Sequence, residues 1–301
     1  MINVVKLAYA DFNCTDLQAM KNYYEEVIGF TTVEIGDEQE VYLSSGVDHH
    51  NIVLRQSSES ELSTMGYQID PNLSLVDVQK YLKQHGISSE IKTDYSHGIK
   101  ELIELKDTDG YNLHLFREIE MPAPGFKKGH VSPYKLGHIA LGSFDAQKAV
   151  DFYQTVLGFH YTDKIQTRAT FLTCNADHHT LNISTFGHKM MHHIAFELKD
   201  ASHHVLSADH LAQHNISLEW GPFRHTAGHN MASYHYDPEK NVIELYSDMD
   251  QFIPELGIFD PRPWHKTLPL RPQVWPNNCV WYEDFERNIT DIVLGKLKVN
   301  N

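Results

Sequence analysis

The chain has little cysteine, a deficit of positive charge and no long apolar run. Its three cysteines, Cys14, Cys174 and Cys279, are far apart and odd in number. They suggest neither a disulfide framework nor a thiolate metal site, and a reducing, cytoplasmic setting is expected. No apolar run approaches the roughly 18 residues that span a bilayer, so no membrane partner is expected. The first residues, MINVVKLAYADF, lack the basic-then-apolar pattern of a secretory signal and read as a strand. Lys and Arg total 25 against 40 Asp and Glu, a formal net charge of −15. Nucleic acid is therefore not an expected partner, because phosphate binding needs clustered cations.

What remains is an ordinary globular composition, 41% hydrophobic and 22% charged over 301 residues. That length suits two domains or an internal duplication. Histidine is the outlier, with 21 residues and no terminal tag to account for them. Many are adjacent: His49-His50, His178-His179, His192-His193 and His203-His204. Abundance cannot identify a ligand, so position must.

The chain repeats itself. KLAYADFNCTDLQAMKNYYEEVIGF (6–30) aligns without a gap on KLGHIALGSFDAQKAVDFYQTVLGF (135–159), an offset of 129 residues. Each copy reads as strand, helix, turn. Asp16 and Asp145 are good N-caps. Ala149, Phe152, Tyr153 and Val156 recur at helical spacing, and Gly29 and Gly158 fit helix C-caps. Short strands follow: TTVEIG, EVYLSS and NIVLRQ, then HYTDKI, ATFLTC and TLNIST. A second round begins at MGYQID and at MHHIAFELKD, each followed by a helix and late strands around the turns Asp107–Gly110 and Asp237–Asn241. The fold class is therefore α+β, with four βαβββ modules forming two cup-shaped barrel domains. The expected boundaries are 1–122, 130–250 and a Pro- and Trp-rich extension, 251–301, packed on the second half. The break falls near Met121–Gly125.

Three residues on central strands of the second half form a candidate metal set: His138 in LGHIAL, His193 in HHIAFEL and Glu244 in NVIELYS. Two imidazoles and a carboxylate with open positions suit non-haem Fe(II), with Mn(II) possible. Taken singly, each is an ordinary packing residue; equivalent positions in repeated modules set them apart. Strand alternation alone does not choose between His192 and His193. The first half is an internal control: Tyr9 stands at His138, Tyr67 at His193 and His114 at Glu244, so one active barrel and one structural copy are expected.

The second half resembles the type I extradiol ring-cleavage dioxygenases of the vicinal oxygen chelate (glyoxalase-like) superfamily. The matching segments are LGHIALGSFDAQKAVDFYQTVLGF, CNADHHTLNI, MHHIAFEL and GPFRHTAGHNMASYHYDPEKNVIELYSD. The last carries His225, Tyr234, Asp237-Pro238 and Glu244 at the family's spacing; it departs at Ser233, where the pattern has an apolar residue. The resemblance implies that His138, His193 and Glu244 are the metal ligands, His193 being the histidine followed by the family's apolar strand. It makes His179 the histidine beside bound oxygen, with His178 the runner-up, and His225 and Tyr234 the groups that bond substrate oxygens. It implies a catecholic substrate, O2, cleavage beside the diol to a muconic semialdehyde-type product in aromatic catabolism, and a homo-oligomer. A neutral histidine or a tyrosinate would remove the catechol proton.

Other residues keep two readings. His229 either touches substrate or lies on the surface, and Trp264 and Trp275 either lid the pocket or pack the tail. Ala140 and Phe171 are pocket-lining candidates from strand position. Two other functions belong to the same fold: a glyoxalase-like metalloisomerase and a non-catalytic small-molecule binding protein. The His225/Tyr234 pair argues against the first, and retention of the triad against the second.

Overall fold

The computed structural model describes residues 2–36 and 39–281. The first half runs β1 (Val4–Cys14), α1 (Leu17–Asn22, continued by a π-helical stretch, Tyr23–Ile28), β2 (Thr31–Ile35), β3 (Glu40–Ser44), β4 (Ile52–Gln56), β5 (Glu61–Ile69), α2 (Leu75–Gln84), β6 (Ser89–Ser96), β7 (Ile99–Lys106) and β8 (Asn112–Phe116). The second half repeats the order: β9 (Lys135–Ser143), α3 (Ala146–Thr155), β10 (His160–Ile165), β11 (Ala169–Thr173), β12 (Leu181–Thr185), β13 (Met190–Glu197), α4 (Ala201–Gln213), β14 (Trp220–Arg224), β15 (Met231–Tyr236) and β16 (Val242–Ser247). These are four βαβββ modules, joined pairwise into two curled sheets. The strand orders are β2-β3-β4-β1-β5-β8-β7-β6 and β14-β15-β16-β13-β9-β12-β11-β10. No helix or strand lies between Phe116 and Lys135.

The predicted caps form. Asp16 accepts from the Ala19 N–H and Asp145 from the Lys148 N–H, each satisfying an orphan amide of the first turn. Gly29 and Gly158 take the left-handed backbone, φ +87° and +82°, that ends the helical stretches without a Cβ clash. Two strands are ones that periodicity does not announce. β6 is polar and mostly solvent-facing, and β14 contains Gly221-Pro222; both are sheet edges, where an apolar face or a missing N–H is not demanded.

The halves pack as pseudo-equivalent partners. Phe30 meets Phe196 of β13 edge-on (5.4 Å between ring centroids), and its counterpart Phe159 meets Tyr67 of β5 (5.6 Å). One buried hydrophobic cluster runs through both halves. The turn residues cross over as well. Asp109 accepts from Ser143 Oγ and Phe144 N, while Glu239 accepts from Thr15 N, Thr15 Oγ and Asp16 N.

Strand register corrects one sequence equivalence. His138 faces Ala195, which faces Glu244; in the first half Tyr9 faces Gly66, which faces His114. His114 is therefore the counterpart of Glu244. Ala140 faces His193, and the corresponding Asp11 faces Thr64, so Thr64 rather than Tyr67 stands where His193 stands. Tyr67 is the counterpart of Phe196, a core residue.

The chain after β16 forms a short hairpin, β17 (Phe252–Ile253) with β18 (Ile258–Phe259), and then β19 (Val274–Trp275), which adds in parallel to the β10 edge. The expected extension continues to 301, of which 282–301 lies outside the described residues. Among the described residues, no helix is long and apolar enough to cross a membrane.

Candidate functional site

β9, β13 and β16 are adjacent strands, and their register brings His138, His193 and Glu244 to one face of the second sheet. His138 Nε2 lies 3.0 Å from Glu244 Oε2 and 3.2 Å from His193 Nε2, and His193 Nε2 lies 3.1 Å from Glu244 Oε2. All three residues are buried. The spacing fits a metal: ligand atoms occupying one face of an octahedron with bonds of about 2.1 Å sit about 3 Å apart. The protonation chemistry points the same way. In every protonation state one contact stays repulsive: two Nε2–H groups oppose each other at 3.2 Å, a single one leaves the other Nε2 lone pair against the Glu244 carboxylate, and none leaves three lone pairs converging without a cation. The two imidazoles also hold the Glu244 carboxyl well below the usual range despite its burial, while burial lowers His138 against the pull of Glu244. A carboxylate with a neutral imidazole is the ionisation state that ligation requires.

Glu244 Oε1 accepts from Asn230 Nδ2 (3.0 Å), which orients the carboxylate. His193 Nδ1 lies 2.7 Å from His192 Nδ1. A register shift between Met191 and His193 breaks the regular alternation there. Both adjacent histidines consequently line the same pocket, which is why parity does not choose between them.

His225 and Tyr234 stand beside this set. Tyr234 is directly opposite Glu244 across the β15–β16 ladder, so the ten-residue spacing is a hairpin folded about the Asp237 turn. Tyr234 Oη is 2.8 Å from His225 Nε2, and His225 Nδ1 contacts the Asn278 carbonyl (3.0 Å) and Oδ1 (2.9 Å). Nδ1 must donate to these acceptors, leaving Nε2 to accept the Tyr234 hydroxyl. Burial, with the Glu244 charge, raises the Tyr234 phenol well above its ordinary value. Burial also lowers His225, opposed by Glu244 and Asn278.

His179 lines the pocket, with its ring 4.2 Å from the His138 ring and 4.9 Å from Phe171. His178 stands behind it: its Nδ1 is 2.8 Å from His179 Nδ1 and its Nε2 is 3.0 Å from Asp163 Oδ2. Burial and the neighbouring His138 and His178 push His179 well below the usual imidazole value, so it rests neutral. Asp163 is anchored in turn by Trp275 Nε1 (2.6 Å) and the Gln273 N–H (2.7 Å).

Sequence reasoning did not single out Asp163, Asn230, Asn182 or Asn278. The 129-residue offset carries a signal for the first, because Glu34 and Asp163, like His49-His50 and His178-His179, are repeat equivalents with the same contacts. Asn278 comes from the tail, which has no repeat counterpart. Ala140 and Phe171 line the pocket as expected. His229 is neither at the surface nor in the lining: it is buried, with Nδ1 2.7 Å from Asp250 Oδ2. Trp264 and His265 reach the same Asp250 carboxylate. Trp264 and Trp275 pack against the shell and do not line the pocket. Ser233 departs from the apolar pattern because His204 is buried against it, Nδ1 to Oγ 3.3 Å.

The model of the glyoxalase/bleomycin resistance protein/dioxygenase superfamily matches residues 6–115 and 135–245. A curated relative, biphenyl-2,3-diol 1,2-dioxygenase of Paraburkholderia xenovorans (strain LB400), is 26% identical over 265 residues, covering 81% of this chain and 87% of that protein. Among solved structures, the Mn(II)-bound glyoxalase from Novosphingobium aromaticivorans is 27% identical with a TM-score of 0.77, over 83% of this chain and 84% of its own. The 2,3-dioxygenase LapB from Pseudomonas sp. KL28 is 18% identical with a TM-score of 0.78, over 91% and 98% of the two chains.

Proposed function

The chain belongs to the glyoxalase/bleomycin resistance protein/dioxygenase superfamily, and from that premise we propose that it is an extradiol dioxygenase that opens a catechol-type ring beside its two hydroxyls. The observation that carries the reading is the His225–Tyr234 pair lying against the His138/His193/Glu244 set, with Tyr234 directly across the ladder from Glu244. Relatives named for catecholic substrates support it.

His138, His193 and Glu244 would hold a non-haem Fe(II), with Mn(II) the alternative the same ligands accept. When bound, the metal supplies neighbouring open positions for a catecholate and dioxygen and passes electrons between them. The protein supplies charge, position and proton handling. Glu244 contributes one negative charge, so a monoanionic catecholate brings the site to neutrality. Tyr234 meets one substrate oxygen and, as it accepts that proton, gives its own to His225 Nε2. Asn278 accepts from His225 Nδ1–H and so steadies the imidazolium that results. His179 faces the pocket from the other side of His138. Its Nδ1–H donates to His178, because Asp163 claims the Nε2–H of His178; His179 Nε2 is therefore the nitrogen available to the oxygen side. Both atoms of dioxygen enter a muconic semialdehyde-type product.

The similarity to a Mn(II)-bound glyoxalase favours one second reading, metal-assisted isomerisation on the same ligands. The two separate on the Tyr234 hydroxyl. Glu244→Ala is expected to lose bound iron, measured by metal analysis after anaerobic loading and desalting; full retention contradicts the ligand set. Tyr234→Phe is expected to keep iron and lose on the order of 10²-fold in ring-cleavage kcat. An isomerase activity on a thiohemiacetal, with no ring cleavage, would decide for the second reading.

A further inference from the structure

On β12, Leu181 and Ile183 enter the hydrophobic core, while Asn182 and Ser184 face the pocket. Asn182 is paired in register with Ala140 on one side and Phe171 on the other, and Ala140 is paired with His193. Reading across the sheet, Asn182 thus lies level with His193, two strands away, or about 10 Å between backbones. Only the Ala140 methyl stands between them. That is a shallow floor with a candidate metal ligand at one end and an amide at the other.

The amide is held in one rotation. Ser184 Oγ donates to Asn182 Oδ1 at 3.0 Å, which turns Nδ2 the other way. Asn182 is 6% exposed, and Nδ2 has no acceptor among the described residues. Nδ2 is open to the pocket and not sealed from solvent, so an arriving acceptor takes the place of water there, in a bond made beside apolar walls. No Lys or Arg is among the described lining residues, and with Fe(II), Glu244 and a monoanionic catecholate in place the site is already neutral. A carboxylate on the ligand would be desolvated with no cation to meet it. Phe171 and Ala169 flank the amide with apolar surface.

We propose that Asn182 is a specificity residue whose side-chain amide donates to a neutral acceptor, such as a ketone, amide or ether oxygen, on a ring substituent of the catechol; this rests on the ring-cleavage reading above. A catechol with an acyl-type substituent is the preferred class, ahead of alkyl and carboxylate analogues.

The test uses the full chain loaded with Fe(II) and two matched pairs, acetylcatechol and ethylcatechol, substituted at ring position 3 or 4 and differing only by the carbonyl oxygen. Dissociation constants are measured without oxygen, and kcat/KM with it. The wild-type protein should favour acetyl over ethyl by about five- to tenfold at one ring position. Asn182→Leu and the less intrusive Asn182→Ala should both lose that preference while still binding ethylcatechol. A carboxymethylcatechol should bind more weakly than the acetyl compound. An acetyl-to-ethyl ratio unchanged in the variants, or the acid binding best, overturns the assignment of Asn182 and leaves ring cleavage intact. If the wild-type protein binds and turns over none of these catechols, the ring-cleavage reading itself fails and takes this inference with it.

Discussion

Adjacent histidines meet Nδ1 to Nδ1 three times in this molecule: His49–His50 at 3.0 Å, His178–His179 at 2.8 Å and His192–His193 at 2.7 Å. In each pair one nitrogen donates and the other accepts, so the outer partner sets the inner tautomer. A carboxylate performs that task in both halves, Glu34 for His49 and Asp163 for His178. The arrangement is thus inherited from the duplication, and only the second copy faces the candidate metal set. His204 is a different case. It is buried between Ser233 Oγ and Ser247 Oγ, and burial lowers it to about 4. The unfolded chain takes up the proton near pH 6.5 and the folded chain only near pH 4. The stability this gives is complete above pH 6.5 and lost as pH falls through that window, about 3 kcal/mol from this residue at its lower end. Denaturant titrations between pH 7 and 4 should show a slope to which this residue and the other buried imidazoles contribute, and His204→Gln should reduce it by up to about one proton. An unchanged slope would mean that His204 is accessible to protons in the folded state. None of this was legible in the sequence, where His203 and His204 look alike; full burial of one and partial burial of the other depends on the face α4 turns to the sheet.

At the scale of elements, the 129-residue offset carried helices, caps and most strands, because each copy solves the same packing problem with the same apolar positions. It carried Tyr9 to the place of His138, while His114 matches Glu244 one residue off it, at an offset of 130. The same 129-residue offset puts Thr64 at His193 and Tyr67 at Phe196, as the β1–β5 and β9–β13 ladders do; aligning MGYQI on MHHIA by its motif slipped from that offset by three residues and set Tyr67 at His193. The edge strands β6 and β14 were missed because edges need neither an apolar face nor a complete set of N–H donors. Of the candidate site, the residues on ladder strands were readable from motif spacing. Asn278 was not, since the tail reaches His225 by a path no periodicity encodes. A consequence lies at Gly66. An added Cβ would come 2.1 Å from the Tyr9 ring, which bonds His114 Nδ1 at 2.5 Å and stacks with Phe116. Gly66→Ala should cost about 1–3 kcal/mol in denaturant unfolding, since the ring cannot move far in a filled interior. Iron binding in the second half should survive. A neutral effect on stability would mean that the first cup is loosely packed.

Over the whole molecule, the duplication yields two cups with opposite fates. In the first, Tyr9, Tyr42, His50 and His114 fill the interior with rings and hydrogen bonds. In the second, His138 replaces the larger Tyr9, and Ala140 and Ala169 leave the floor low, so a pocket opens over the triad. The tail reinforces that asymmetry: its described part, through Trp281, bonds Asp250, Asp163 and His225, all in the second half. The first cup shares a continuous core with the second. The central claim is that the second cup joins catechol and dioxygen at iron. The direct measurement loads the metal-free protein with Fe(II) without oxygen, adds catechol, and then admits air while absorbance and dissolved oxygen are followed together. The expected result is a yellow ring-fission product with one O2 consumed per catechol. No colour and no oxygen uptake across single-ring and two-ring catechols would contradict it.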